Sequence, residues 1–192
     1  MASCFSHPAV PLAIACWTPS LRRPSLLITA ALLSAVPDLD AIGYWAGVPY
    51  ESWCGHRGFT HSIAFALACA LVLAPVFARR CGVPTKRVVA FLCAAMASHG
   101  VVDMATNGGH GIALLWPFST ARLFWPWHPI EVAPLGIRAF FSVDGVEVLC
   151  SEALWLWGPA AIVGALGLWC MRRRGADHSL GEKPPDRFIS RS

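Results

Sequence analysis

The 192-residue chain is 56% hydrophobic and 14% charged, with a mean hydropathy of +0.54 and a formal net charge of +4. Soluble domains carry about 25% charged residues, so this composition argues against an ordinary soluble globule and for an integral membrane protein. The positive charges cluster beside apolar runs and form no basic face in polar surroundings, which excludes a nucleic-acid-binding surface.

In chain order, residues 8–21 are apolar but short, interrupted by Pro8, Pro11 and Pro19 and followed by Arg22 and Arg23. Basic residues follow this run rather than precede it, so it reads as a retained segment and not a cleaved signal peptide. Residues 25–36 (SLLITAALLSAV) lead into PDLD, and residues 62–78 (SIAFALACALVLAPVFA) end at Arg79 and Arg80. Residues 88–105 follow Lys86 and Arg87, and residues 153–171 stop at Arg172, Arg173 and Arg174. A span takes about 20 apolar residues, so the first two segments read as short, tilted or re-entrant. The expectation is an all-α integral membrane helical bundle with four to five membrane segments, forming one domain over residues 1–174. Residues 175–192 are charged and contain proline, and are expected to be a disordered cytoplasmic tail. A long loop, 106–150, rich in Trp, Pro and Gly, is expected to roof the outer end. The Trp residues read as interfacial anchors or packing within spans.

Four of the 8 cysteines (Cys16, Cys69, Cys93 and Cys170) lie in apolar runs, where Cys behaves as a small hydrophobe. No CxxC occurs, so no Cys-based zinc site is expected. Cys54 and Cys150 can pair only if both face an oxidising space.

The positive-inside rule places all of the 15 Lys and Arg residues except Arg57, Arg122 and Arg138 on the cytoplasmic side. The same topology carries every one of the 7 histidines except His178 to the outer face. It also carries all of the acids there except Asp177, Glu182 and Asp186. His7 precedes the first segment, Asp38 and Asp40 end the second, and His56 and His61 open the third. His99 and Asp103 lie near the end of the fourth, and Glu152 opens the last. A lone His at a membrane interface is ordinarily a polar edge residue, and His110, His128 and His178 are read so. Four separate segments presenting His or Asp at one face is a different observation.

Imidazoles and carboxylates together suit zinc and other divalent first-row metals. His99 and Asp103 are four residues apart and share a helical face, within an apolar helix where ionisable residues read as functional. In GHRGFTHS, residues 55–62, His56 is expected in a loop and His61 in the first helical turn, with Thr60 as N-cap. Gly58 would supply a sharp backbone turn, so that the two rings approach one ion from different sides. Arg57 would be a cation beside the metal, suited to an anionic substrate. In an extended PDLD, Asp38 and Asp40 would point the same way, as ligand or general base.

The pieces SHPAVPL (6–12), VPDLD (36–40), GHRGFTHS (55–62), SHGVVD (98–103), TNGG (106–109), LLWPFS (114–119), PWHPIEVAPLG (126–136) and SEALWLW (151–157) carry a resemblance. In this order they resemble the YdjM-type inner-membrane proteins described as metal-dependent hydrolases, the YbcI-like members most. That family is similar at a distance to the all-helical zinc phospholipase C and P1 nuclease group, which holds zinc with His and Asp, an HxxxD pair included. The resemblance implies His7, Asp38, His56, His61, His99 and Asp103 as metal ligands, with Asp40, Glu152 and Thr60 of secondary rank. It implies one or more divalent ions, zinc foremost, and a bacterial inner (plasma) membrane location.

The function expected is metal-dependent hydrolysis at the extracytoplasmic face, with Asp38, Asp40 and Arg57 as catalytic residues. Membrane lipids are the expected surroundings, and an amphiphilic or phosphate-containing molecule the expected substrate; the oligomeric state is left open. The alternatives are a metal or ion transporter or sensor, disfavoured because the polar groups stop at one face, and a structural protein whose polar cluster only joins helix ends.

Overall fold

In a computed structural model, which describes residues 1–134, 140–141 and 143–181, the chain is all-helical. Among the described residues the only β pairings are two isolated bridges, Thr106 with Ile130 and Ile112 with Leu123. The helices are α1 (Ala9–Cys16), α2 (Pro24–Ala35), α3 (Ala41–Trp45), α4 (Ile63–Cys81), α5 (Thr85–Asp103), α6 (Val143–Glu152) and α7 (Gly158–Gly181). One π-helical turn, Ala153–Trp157, joins α6 to α7. Two short 3-10 turns, Val36–Asp40 and Phe59–His61, sit at the ends of α2 and α4.

Local sequence explains the boundaries. Pro24 occupies the first turn of α2, where its missing N–H costs nothing. Ser62 caps α4 by accepting a hydrogen bond from the Phe65 N–H at 3.1 Å, so Ser62, not Thr60, is the N-cap. His61 therefore lies in the 3-10 turn before α4 rather than in its first turn.

Among the described residues, three helical stretches are long and apolar enough to cross a membrane: Pro24–Trp45, Ile63–Cys81 and Val143–Arg174. By this criterion the expected four to five segments become three. With 8 residues, α1 is only about 12 Å long, well short of a hydrocarbon core of about 30 Å. The 19 residues of α5 include Lys86 and Arg87 at one end and His99 and Asp103 at the other, which lowers its apolar character. The loop expected over 106–150 ends earlier, because α6 begins at Val143. Helix α7 continues to Gly181, into the stretch expected to be disordered; Arg138 and residues 182–192 lie outside the described residues.

The bundle packs through small residues. Ala66, Ala70, Ala74 and Ala78 form a buried stripe along α4, and Val88, Phe91, Leu92, Ala95 and Met96 form the buried face of α5. Alanines at this spacing let two backbones approach, as membrane helices do where apolar burial gives no drive. Leu26, Ala30 and Leu33 of α2 complete this core. In contrast Val72, Val76, Ile162 and Leu166 are exposed, a distribution that suits lipid rather than water.

The buried face of α5 continues past Met96 to His99 and Asp103. Apolar packing along one helix thus delivers two ligand-type side chains to the end where α2 stops and α4 starts.

Candidate metal centre

At that end, Asp38, His61, His99 and Asp103 each offer a ligand atom, all within 4.8 Å of one another, and all four residues are buried. Asp38 comes from the 3-10 turn after α2, His61 from the turn before α4, and His99 and Asp103 from the last turns of α5. Asp38 is the most open of them, at 8% exposure.

The imidazoles are oriented from behind. His99 Nδ1 donates to the Ser34 carbonyl at 2.7 Å, and a carbonyl can only accept, so the proton is on Nδ1. His61 Nδ1 lies 3.1 Å from Asp40 Oδ2. The Nε2 atoms of His61 and His99 lie 3.1 Å apart, within hydrogen-bond reach, so one shared proton or a metal ion in its place can join them. Asp38 Oδ1 is 3.2 Å from His99 Nε2, and Asp103 Oδ2 is 3.8 Å from each of the two Nε2 atoms. Acceptors so converged repel one another unless a proton or a metal cation lies among them.

The hydrogen-bond inventory points the same way. Both oxygens of Asp38, Asp103 Oδ2 and both ring nitrogens of His7 are buried with no hydrogen-bond partner. Each such group costs on the order of 1–3 kcal/mol when left unmatched, more when charged. Two carboxylates and two imidazole Nε2 atoms form a ligand set that fits a divalent cation, zinc included.

His7 stands beside this set. Its ring stacks on His99 at 3.7 Å between centroids, and its Nε2 lies 3.7 Å from Asp103 Oδ1 and 4.0 Å from Asp38 Oδ2. Each carboxylate therefore turns one oxygen toward the His61–His99 pair and the other toward His7. Burial, reinforced by His99, pushes the His7 pKa down to about 3, and burial lowers that of His61 also. Both rings stay neutral at physiological pH, the form that ligates metals.

Asp40, His56 and Thr60 form a layer behind the ligands. The segment PDLD is a 3-10 turn rather than extended, so its two carboxylates diverge. Asp38 faces the cluster, whereas Asp40 accepts from His56 Nδ1 at 2.5 Å, Thr60 Oγ1 at 2.6 Å and the Arg57 N–H at 3.1 Å. His56 is thus placed behind Asp40, with its ring 5.9 Å from that of His61, and outside the four-residue group.

Arg57 is fully buried and carries the turn of GHRGFTHS itself: its φ is 61°, whereas Gly58 has a φ of −84°. Its Nη1 donates to the Gly108 carbonyl at 2.7 Å and its Nη2 to Thr106 Oγ1 at 3.0 Å, while Nε points at Asp103 Oδ2 from 3.5 Å. Gly109 packs so closely that a Cβ there would meet Nη1 at 2.3 Å. The guanidinium is therefore enclosed by the 106–109 loop and balances Asp103, rather than standing open to an anion.

Glu152 is buried and accepts from Ser3 Oγ and Ser6 Oγ, each at 2.7 Å, and from the Ser3 N–H. It fastens the N-terminal segment to the π-helical turn. That segment also reaches the centre, since the Ala2 N–H donates to Asp103 Oδ1 at 2.7 Å. His110 pairs at the surface with Glu51, and His128 packs on Phe124. Cys54 and Cys150 are free and exposed.

Several contributors have no sequence signal. Ser34 acts through its carbonyl. Gly100 matters by what it lacks, because a Cβ there would lie 2.7 Å from the His61 carbonyl oxygen. Thr106 and Gly108 lie in the TNGG piece, where composition shows a turn but not its guest.

Fold and centre together define a helical membrane protein with a buried carboxylate–imidazole cluster suited to a metal ion. The chain belongs to the YdjM inner membrane protein family, whose pattern it matches over residues 1–179. It is 36% identical over 174 residues to the inner membrane protein YbcI of Escherichia coli (strain K12), an alignment covering 90% of this chain and 100% of that protein. No solved structure matches the chain.

Proposed function

We propose that this protein is a membrane-bound metal-dependent hydrolase whose centre lies at the extracytoplasmic face and acts on a phosphoester or lipid-like amphiphile. The observation that carries this reading is the convergence of Asp38, His61, His99 and Asp103, with both oxygens of Asp38 and Asp103 Oδ2 buried and unmatched. Asp38, Asp103, His61 and His99 would hold a divalent ion, zinc foremost, and His7 beside them would be a further ligand if more than one ion binds. Such an ion supplies Lewis acidity toward an ester oxygen and acidifies water.

The chain's own residues do the remaining work. Asp40 fixes His61 from behind and is itself held by His56 and Thr60, so the imidazole is aimed before any substrate arrives. Arg57 offsets part of the carboxylate charge and tethers the 106–109 loop. Asp38, the most open of the ligands, is the residue best placed to meet a substrate or to take a proton from water. The clustering of acids and histidines at the end away from the basic residues supports the extracytoplasmic placement.

A second reading, a structural metal site that ties three helix ends together, is favoured by one observation: no member of the cluster exceeds 8% exposure. The two are separated by assaying metal-loaded protein in mixed micelles against fluorogenic phosphodiesters and labelled phospholipids. The hydrolase reading expects turnover that disappears in Asp38→Asn and persists in His110→Ala. Bound metal without turnover on any of these, together with a lower melting temperature on metal removal, would establish the structural role instead.

A further inference from the structure

The end of the bundle opposite the metal centre contains a second feature. A cleft of about 480 Å³ is lined by Arg23, Pro24, Ser25, Arg80, Cys81 and Gly82. It lies between the start of α2 and the end of α4, bridged by a contact of 3.5 Å between Ser25 Oγ and Cys81 Sγ. The dipoles of the two helices largely cancel there, since one presents its N-terminus and the other its C-terminus. The charge of the cleft comes from the two guanidiniums.

Arg23 and Arg80 are exposed, and among the described residues neither takes part in an ion pair. Neighbouring Arg22 differs: its Nε donates to the Ala15 carbonyl at 3.1 Å and its Nη2 to the Cys16 carbonyl, which closes α1. The carboxylates Asp38, Asp40, Asp103 and Glu152 all sit at the other end. The residues that line the cleft include two arginines and no carboxylate, so among the described residues the cleft is cationic.

Its position and its surroundings narrow the anion. Pro24 begins one candidate membrane span and Cys81 ends another, so the cleft lies at the depth of lipid headgroups. An exposed apolar stripe leads from each side. Ile28 and Leu32 follow Pro24 at four-residue spacing, and Val76 and Val72 precede Arg80 at the same spacing; all four are more than half exposed. Four-residue spacing keeps each series on one helical face. A soluble anion would use the arginines alone, whereas a phospholipid would use arginines and stripes together.

We propose that this cleft binds the phosphate of an anionic phospholipid, with Arg23 and Arg80 on the headgroup, Ser25 as an added hydrogen-bond donor, and the acyl chains along Ile28, Leu32, Val72 and Val76. The proposal does not depend on any activity of the metal centre.

The test uses the full chain, purified and delipidated in mild detergent, then incubated with phosphatidylglycerol or phosphatidylcholine of matched acyl chains and examined by native mass spectrometry. Preferential retention of phosphatidylglycerol is expected. Each basic residue near an anionic lipid surface contributes roughly a factor of five, so Arg23→Gln/Arg80→Gln is expected to weaken retention about thirtyfold. Arg172→Gln/Arg173→Gln removes the same charge from the same end and is expected to change retention little. An unchanged melting temperature in the cleft variant shows that it folds. Equal retention of the two lipids, or equal losses in the two variants, would overturn the proposal. Displacement of the lipid by inorganic phosphate at the strength of a phospholipid headgroup would also overturn it, in favour of a soluble anion.

Discussion

Replacing Asp40 by asparagine keeps the shape of a side chain that accepts from four donors and exchanges one acceptor oxygen for a donor. The four are His56 Nδ1 at 2.5 Å, Thr60 Oγ1 at 2.6 Å, the Arg57 N–H at 3.1 Å and His61 Nδ1 at 3.1 Å. Whichever way the amide sits, at least one donor then faces an NH₂ group. An unmatched buried partner costs about 1–3 kcal/mol, and 1.4 kcal/mol is tenfold in affinity. The loss acts through the orientation of His61, so divalent-metal affinity is expected to fall by roughly ten- to a hundredfold, as when other partners behind a metal-ligating His are removed. The assay is competition of the detergent-solubilised apoprotein against a fluorescent chelator, with Asp38→Asn and His110→Asn in parallel. Asp38→Asn is expected to abolish binding and His110→Asn to leave it unchanged. Unaltered affinity in Asp40→Asn would refute the orienting role, and a loss as complete as that of Asp38→Asn would make Asp40 a direct ligand.

Gly100→Ala places a Cβ where the His61 carbonyl oxygen already lies, 2.7 Å away, and is expected to destabilise the protein by about 1–3 kcal/mol, read from chemical denaturation, and to weaken metal binding. Arg57→Met leaves Asp103 buried without its cation, and a loss of about 3–5 kcal/mol is expected in the same assay; an unshifted midpoint would contradict the balancing role of the guanidinium. His7 has its pKa lowered from 6.5 to about 3, so the unfolded chain takes up this proton before the folded one does. Its contribution is therefore complete above pH 6.5 and is lost as pH falls toward 3. For the apoprotein, lowering the pH from about 7 to about 5 is expected to cost roughly 2 kcal/mol through this residue, with a shallower pH dependence in His7→Gln. Equal slopes in the two proteins would contradict it.

The residues of the centre are more legible in the sequence than their division of labour. His99 and Asp103 can be read together because helical periodicity alone puts residues four apart on one face, and α5 obeys it. An extended PDLD would point Asp38 and Asp40 the same way. Pro37 instead sits in a 3-10 turn, which sends one carboxylate to the ligand cluster and the other behind it. His56 follows Asp40 into the rear layer for the same reason. Arg57 shows the limit most clearly: a cation next to two histidines suggests anion binding, but only the folded loop shows Gly108, Thr106 and Gly109 enclosing it. Membrane character was legible from composition, whereas the number of spans was not, because an apolar run of residues does not reveal that α1 stops after 8 of them. The orientation of His99 by the Ser34 carbonyl had no sequence signal at all, since every residue carries that group.

Metal content of the purified, detergent-solubilised protein, measured by elemental analysis after purification without chelator and reloading with zinc or manganese, tests the centre most directly. About one equivalent or more of a divalent metal per chain is expected in the wild-type protein. It is expected to be lost in His61→Ala/His99→Ala and kept in His110→Ala. No bound metal in the reloaded wild-type protein, or equal metal in the wild type and the double variant, would contradict a metal centre built from Asp38, His61, His99 and Asp103.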